Sequence, residues 1–389
     1  SNGGSLKSLT ADCAEVECDC CTQCFTNPPS QAPSSVSLLV SNLDSGVDPT
    51  EIQCCGMTAK EREENLQNVL KDVSDINLIS DSFSPQGKAF NWLLYEDGVC
   101  MCPNDSSLVQ RYVMAVFYFS TNGDSWTSCS ADPEETDCEG GVRYLSPVDV
   151  CTWKGSQCKR SGSMKIIEFE SMNVTGTIPS ELSSLQDLQQ LYLEKGGLTG
   201  SIPPSLGDLT NLRVIDLNFN SLTGPIPKEL GGSDRLVVLD LNDNYLSGDL
   251  SVLDDLPGLA LIQLQDNAFT GIIPDVDLTN LLVFQTHGNE LSGSMPQTYC
   301  GKLESNGGSL KSLTADCAEV ECDCCTECGV GAVDDDTILE GPGNNEVPVD
   351  DDVVLVPSAM PSAQPSASIA TAPIYSTEIQ CCGMTAKER

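Results

Sequence analysis

Residues 197–224 read GLTGSIPPSLGDLTNLRVIDLNFNSLTG, a stretch that ends by returning to the motif with which it begins. Gly200 and Gly224 mark the same point of that motif, and Gly176, Gly248, Gly271 and Gly293 mark it again, at successive spacings of 24, 24, 24, 23 and 22 residues. A fixed period in the twenties predicts a solenoid, because one coil cannot bury its own apolar face and must stack on its neighbours. Within each coil a short alternation such as Leu236-Val-Val-Leu-Asp-Leu241 predicts a strand. Alternation sends Leu239 and Leu241 inward and Asp240 outward, onto the concave face. Asn220, Asn244, Asn267 and Asn289 close the strands, where a side-chain amide can satisfy backbone groups of the turn. About six coils over 164–299 give an α/β solenoid with a parallel sheet on its concave face.

The LxxLxLxxN core at this period reads as a leucine-rich repeat. The fuller LtGxIPxxLgxL pattern resembles the plant-type extracellular leucine-rich repeat family. That resemblance implies a second short sheet formed by the LTGxIP segments. Later coils depart from it: Ser251 stands at an expected Pro, and the fifth and sixth repeats are one and two residues short. CTWKGSQC at 151–158 resembles the CxWxGVxC amino-terminal cap of the same family, which implies a Cys151–Cys158 disulfide and Trp153 packed over the first coil.

An open solenoid exposes apolar ends, so caps are expected. Residues 50–163 read as a helical, disulfide-bonded amino-terminal cap. TAKEREENLQNVLKDVS and SPQGKAFNWLLYEDG predict helices, and Val109, Val113, Val116 and Phe117 give a further helix before a turn at Asn122-Gly123. Cys129 and Cys138 are expected to close the loop that follows. At the other end, 300–328 forms a Cys-rich cap with Cys300, Cys317, Cys322, Cys324, Cys325 and Cys328. Cysteines at this spacing suit either zinc or disulfides. No second CxxC or His pair completes a tetrahedral site, and an oxidising compartment favours disulfides. Adjacent cysteines, Cys54-Cys55 and Cys324-Cys325, must reach different partners. The combination of SPQxxAxxWLL, STNGD and CDCCTxC resembles secreted leucine-rich repeat proteins of diatoms and other stramenopile algae, a resemblance that implies little about activity.

Two stretches occur twice. Residues 1–24 repeat 305–328 with one difference, Gln23 against Glu327, and TEIQCCGMTAKER stands at both 50–62 and 377–389. Dissimilar connectors follow the two copies of the first stretch, at 25–49 and 329–376. This arrangement is expected of one whole module framed by the tail cap of a preceding module (1–24) and the start of a following one (377–389). Self-contained terminal mini-domains are the alternative. The cysteine count of 21 is odd, whereas the span Cys54–Cys328 holds 14.

Nineteen Lys and Arg against 57 Asp and Glu give a net charge of −38. So acidic a surface repels nucleic acid and anionic membranes, and favours cations, basic partners or plain solubility. No apolar run reaches the roughly 18–20 residues of a membrane span, and a secretory leader is expected upstream of Ser1. The connector 329–376 lacks Lys and Arg and carries PSAMPSAQPSAS, which favours an extended polyproline chain. SVSLLVS at 35–41 and DVVLVPS at 352–358 are β-prone runs expected either to add to a neighbouring module's edge or to lie loosely on their own. Asn104 and Asn173 begin N-glycosylation sequons.

No catalytic constellation emerges, and His287 is the chain's single histidine. The expected ligand surface is the concave face, lined by Glu168, Glu170, Glu194, Asp216, Asp240, Asp243 and Asp266, with His287 and with Tyr192 and Phe219 available to stack on a sugar or peptide. Such a ladder suits Ca2+, a cationic ligand, or simply water. The leading functional expectation is a non-enzymatic extracellular protein of tandem modules that associates with copies of itself into a fibre or matrix. The rival is a recognition module for a carbohydrate, peptide or protein.

Overall fold

The computed structural model describes residues 54–132, 138 and 140–329. The near-copies at 1–24 and 377–389, both connectors and their apolar runs lie outside the described residues.

The amino-terminal part is helical: α1 (Ala59–Leu70), α2 (Ile76–Ser80), α3 (Pro85–Tyr95) and α4 (Leu108–Ser120). The starts of α1 and α3 have local causes. Thr58 accepts from the Glu61 amide while the Glu61 carboxylate takes the Thr58 amide, a reciprocal cap. Ser84 caps α3, whose first residue is Pro85. After α4 the chain turns at Asn122, φ 56°, and at Gly123, where a Cβ would meet the Tyr118 ring at 2.2 Å. The Asn-Gly turn is therefore required by packing as well as by backbone conformation.

The strands follow in chain order as β1 (Ser156–Cys158), β2 (Met164–Glu170), β3 (Thr175–Gly176), β4 (Gln190–Glu194), β5 (Gly197–Gly200), β6 (Val214–Asp216), β7 (Ser221–Gly224) and β8 (Val238–Asp240). Then come β9 (Tyr245–Gly248), β10 (Leu261–Gln263), β11 (Ala268–Ile272), β12 (Val283–Gln285), β13 (Glu290–Ser294), the short helix α5 (Gln297–Cys300), β14 (Ser312–Ala315), β15 (Val320–Glu321) and β16 (Glu327–Cys328). They build two sheets. One runs β1-β2-β4-β6-β8-β10-β12-β14-β16, parallel except for β1 against β2. The other, made from the LTG segments, runs β15-β13-β11-β9-β7-β5-β3. Between them the chain takes short 3-10 turns, and the inward residues Leu193, Leu217, Leu241 and Leu264 are buried. The chain thus folds as a leucine-rich repeat solenoid with a helical cap before it and a disulfide-rich cap after it. The Cys-rich tail does more than cover the last coil: β14 pairs in register with β12, and β16 with β14, so the sheet runs on through it.

The strand-closing asparagines knit successive coils. Asn220 Nδ2 donates to the Leu193 and Leu217 carbonyls, and its Oδ1 accepts from the Leu198 amide. Asn244, Asn267 and Asn289 repeat the arrangement one coil further each time.

Disulfides join Cys55–Cys102, Cys129–Cys138 and Cys151–Cys158 in the first cap, and Cys300–Cys324, Cys317–Cys328 and Cys322–Cys325 in the second. The neighbours Cys324 and Cys325 reach different partners. Trp153 is buried in the core that joins the first cap to the repeats. It packs on Trp92 and Tyr144, and Tyr144 in turn meets Phe169 of β2. The Arg111 guanidinium lies 5.1 and 5.0 Å from the centres of the Trp92 and Trp153 rings and pairs with both Asp97 oxygens.

Candidate ligand-binding surface

The strand register sorts the expected ligand residues into rows. The first row runs Glu168, Tyr192, Asp216, Asp240, Gln263, Gln285, Thr314, each paired with the next across the parallel ladder. Asp216, Asp240 and Tyr192 are 3, 1 and 4 % exposed, so they are not the open, solvated row that alternation predicts. Neighbouring strands are only about 4.8 Å apart, and side-chain amides of this face engage the carboxylates: Asp240 accepts from Asn242 Nδ2 at 2.7 Å and from Asn218 Nδ2 at 3.4 Å. Tyr192 accordingly offers no ring face for stacking. Burial pushes its hydroxyl far above the usual tyrosine range, and the charges of Asp216, Glu168 and Glu194 add to that.

Two positions along lies a second row, with Glu170, Glu194, Asn218, Asn242, Gln265 and His287. Glu170 and Glu194 flank Lys195, at 3.0 and 4.0 Å. His287 Nδ1 is 2.7 Å from Thr314 Oγ1, a partner contributed by the second cap. Thr314 is 2 % exposed, so its hydroxyl is closed to a substrate and the pair reads as a structural bond.

Phe219, Asp243 and Asp266 are not on the strand face. With Ser171 and Lys195 they occupy the same place in successive coils, one to three residues past the strand, at φ of 50°, 51°, 54°, 54° and 52°, the left-handed region. There the alternation of the strand ends, and the side chain turns out at the rim of the concave face. Gly288 takes the corresponding place in the sixth coil, where a Cβ would meet Asp266 Oδ1 at 2.3 Å. Phe219 is 41 % exposed, and Tyr245, two residues past Asp243, is 67 % exposed. Tyr245 was not legible as a surface residue, since it occupies the place of small or polar residues in the other coils.

The exposed surface is therefore a rim rather than a trough: Glu170, Phe219, Tyr245 and Asp266, with Asp243 part-exposed. Among the described residues no three His, Cys, Asp or Glu side chains stand together as a metal site, so the carboxylates expected to suit Ca2+ do not converge there. Both sequon asparagines are exposed. Asn104 stands in a loop before α4, whereas Asn173 donates its amide nitrogen to the Ser125 carbonyl at 2.8 Å.

A family profile described as Leucine Rich Repeat matches residues 211–233. The chain is 36 % identical over 69 residues to the receptor-like protein kinase BRI1-like 3 of Arabidopsis thaliana, a match that covers 18 % of the chain and 6 % of that kinase. Among solved structures it is similar to the leucine-rich repeat ectodomain of the receptor kinase SOBIR1 from Arabidopsis thaliana, at 26 % identity over 48 % of this chain and 95 % of that one, with a TM-score of 0.39. A plant ice-binding protein matches at 25 % identity over 53 % of this chain and 61 % of that one, with a TM-score of 0.42. The repeats of this chain are leucine-rich repeats similar to those of plant receptor kinases.

Proposed function

We propose that the chain is an extracellular, non-enzymatic recognition module that binds a basic peptide or protein along the rim of its concave face. The observation that carries this reading is the rim itself. Two exposed aromatic side chains, Phe219 on the third coil and Tyr245 on the fourth, share that edge with the part-exposed carboxylate of Asp243 and the exposed carboxylate of Asp266 on the fifth coil. Aromatic anchors supply contact area at low entropic cost. Carboxylates beside them, on a chain of net charge −38, steer and select cationic partners. The partial identity with a receptor kinase supports the same class of function, and the disulfide-bonded caps suit an oxidising, extracellular setting.

The test is selection of a random peptide library on the immobilised chain at low salt. Sequences rich in Lys and Arg are expected, and Phe219→Ala with Tyr245→Ala should weaken them by ten-fold or more. Selected peptides that bind the double variant as well as the parent would overturn the reading.

Head-to-tail association with copies of itself, as expected for a fibre or matrix, is a second reading. It is supported by the stretches at 1–24 and 377–389, which copy 305–328 and 50–62 of the module. Unreduced mass and negative-stain imaging test it. Beaded or filamentous particles would support it, and a monodisperse particle near the 41.4 kDa of the chain plus sugar would sink it.

A further inference from the structure

Cys322 and Cys324 belong to different disulfides, yet their sulfurs stand 4.0 Å apart. We propose that the paired bonds Cys322–Cys325 and Cys300–Cys324 form a thiol–disulfide exchange site that takes a cationic thiol at Cys325 and releases Cys300. This goes beyond the recognition reading and does not depend on it.

Three observations carry the proposal. Cys322–Cys325 closes the shortest loop of the second cap, at a separation of 3 residues against 11 for Cys317–Cys328 and 24 for Cys300–Cys324. The constraint a disulfide places on the unfolded chain grows with its loop, so this bond contributes least to holding the cap and opens at least cost. Next, Cys322, Cys324 and Cys325 are part-exposed, whereas Cys300 is 7 % exposed and out of reach of direct attack. Finally, Glu319, Glu321, Asp323 and Glu327 surround the cluster, and no Lys or Arg occurs between Ser312 and Cys328. That field repels anionic thiols and attracts cationic ones.

The steps balance without an oxidant. A thiolate attacks Cys325 Sγ, the Cys322–Cys325 bond breaks, a mixed disulfide forms on Cys325, and the electron pair leaves on Cys322. The Cys322 thiolate then attacks Cys324 Sγ, the Cys300–Cys324 bond breaks, Cys322–Cys324 forms, and Cys300 leaves and takes up the proton the incoming thiol gave up. One thiol enters and one appears. A small cationic aminothiol is the incoming thiol that such a field selects.

The test incubates the full oxidised chain, folded and without oxygen, with cysteamine or with glutathione, then blocks all thiols with N-ethylmaleimide in denaturant, where buried thiols also react, and maps the peptides by mass. Cysteamine on Cys325 and N-ethylmaleimide on Cys300 are expected in equal amounts, with Cys317–Cys328 and the first cap's bonds intact. Cysteamine should react about ten-fold faster than glutathione at low salt, and the gap should close at high salt. Earlier labelling at Cys317 or Cys328, or label stopping at Cys322 without reaching Cys300, would overturn the proposal. In the Cys322→Ser, Cys325→Ser variant Cys300 should fall to background labelling; labelling at the parent's rate would mean direct attack and no relay.

Discussion

Asn244 shows how one side chain serves two coils. Its Nδ2 donates to the Leu217, Leu241 and Asn242 carbonyls, and its Oδ1 accepts from the Leu222 amide at 2.9 Å. Asn244→Ala leaves several buried backbone groups without partners and should cost about 2–3 kcal/mol in urea unfolding. Asn244→Asp should not rescue it, because a carboxylate can accept but cannot donate to the three carbonyls. This role is legible in the sequence, since an amide that recurs at the end of each apolar alternation has few other uses. The next residue back is not legible in the same way. Phe219, Asp243 and Asp266 look like continuations of the alternating strand, and only the left-handed φ at that position turns them to the rim. Asp240 does alternate as expected, but alternation says which face a side chain takes and nothing of how crowded that face is.

At the scale of elements, the first cap depends on Arg111, which helical spacing alone places without hinting at its partners. Its pairing with Asp97 is buried, and its guanidinium also donates to the Ser146 and Val148 carbonyls. Arg111→Met should cost about 3–5 kcal/mol, since it strands the Asp97 carboxylate in the core. Adding Asp97→Ala should recover part of the loss in a thermal melt. At the start of α1, Thr58→Ala removes one half of the reciprocal cap and should cost about 1 kcal/mol. The join between cap and repeats is equally polar: buried Glu181, in the 3-10 turn of the first coil, accepts from Ser74 Oγ at 2.8 Å and Gln86 Nε2 at 2.9 Å. The sequence predicted α1, α3 and α4 by period and caps, and missed the short α2 and α5. It did not show that residues 312–315 continue the sheet, because they lack the LxxLxLxxN core and are placed by pairing with β12.

Across the whole molecule, four tyrosines titrate abnormally. Burial raises the Tyr299 hydroxyl from 10.0 to about 12, and it raises Tyr112, Tyr144 and Tyr192 further. A group whose pKa is raised by folding contributes stability fully present below its unfolded value and lost as pH climbs through the folded one. Stability should therefore be level to about pH 10 and fall steadily above it, with the tyrosinate absorbance of these four side chains rising together with the loss of circular dichroism. Tyrosinate forming well before any loss of structure would show that these hydroxyls are open to water.

All of the disulfides described here lie within one cap or the other, and the 141 residues between Cys158 and Cys300 contain no cysteine. Pulled from its two ends, the module is thus a soft spring between hard clasps. The sheet's hydrogen bonds run from coil to coil, along the line of pull, so coils should peel away singly and the tension should rise and fall in small steps. Fully drawn out, that cysteine-free span releases on the order of 480 Å of chain while both caps stay closed, and relaxed, it has two intact ends from which to rewind.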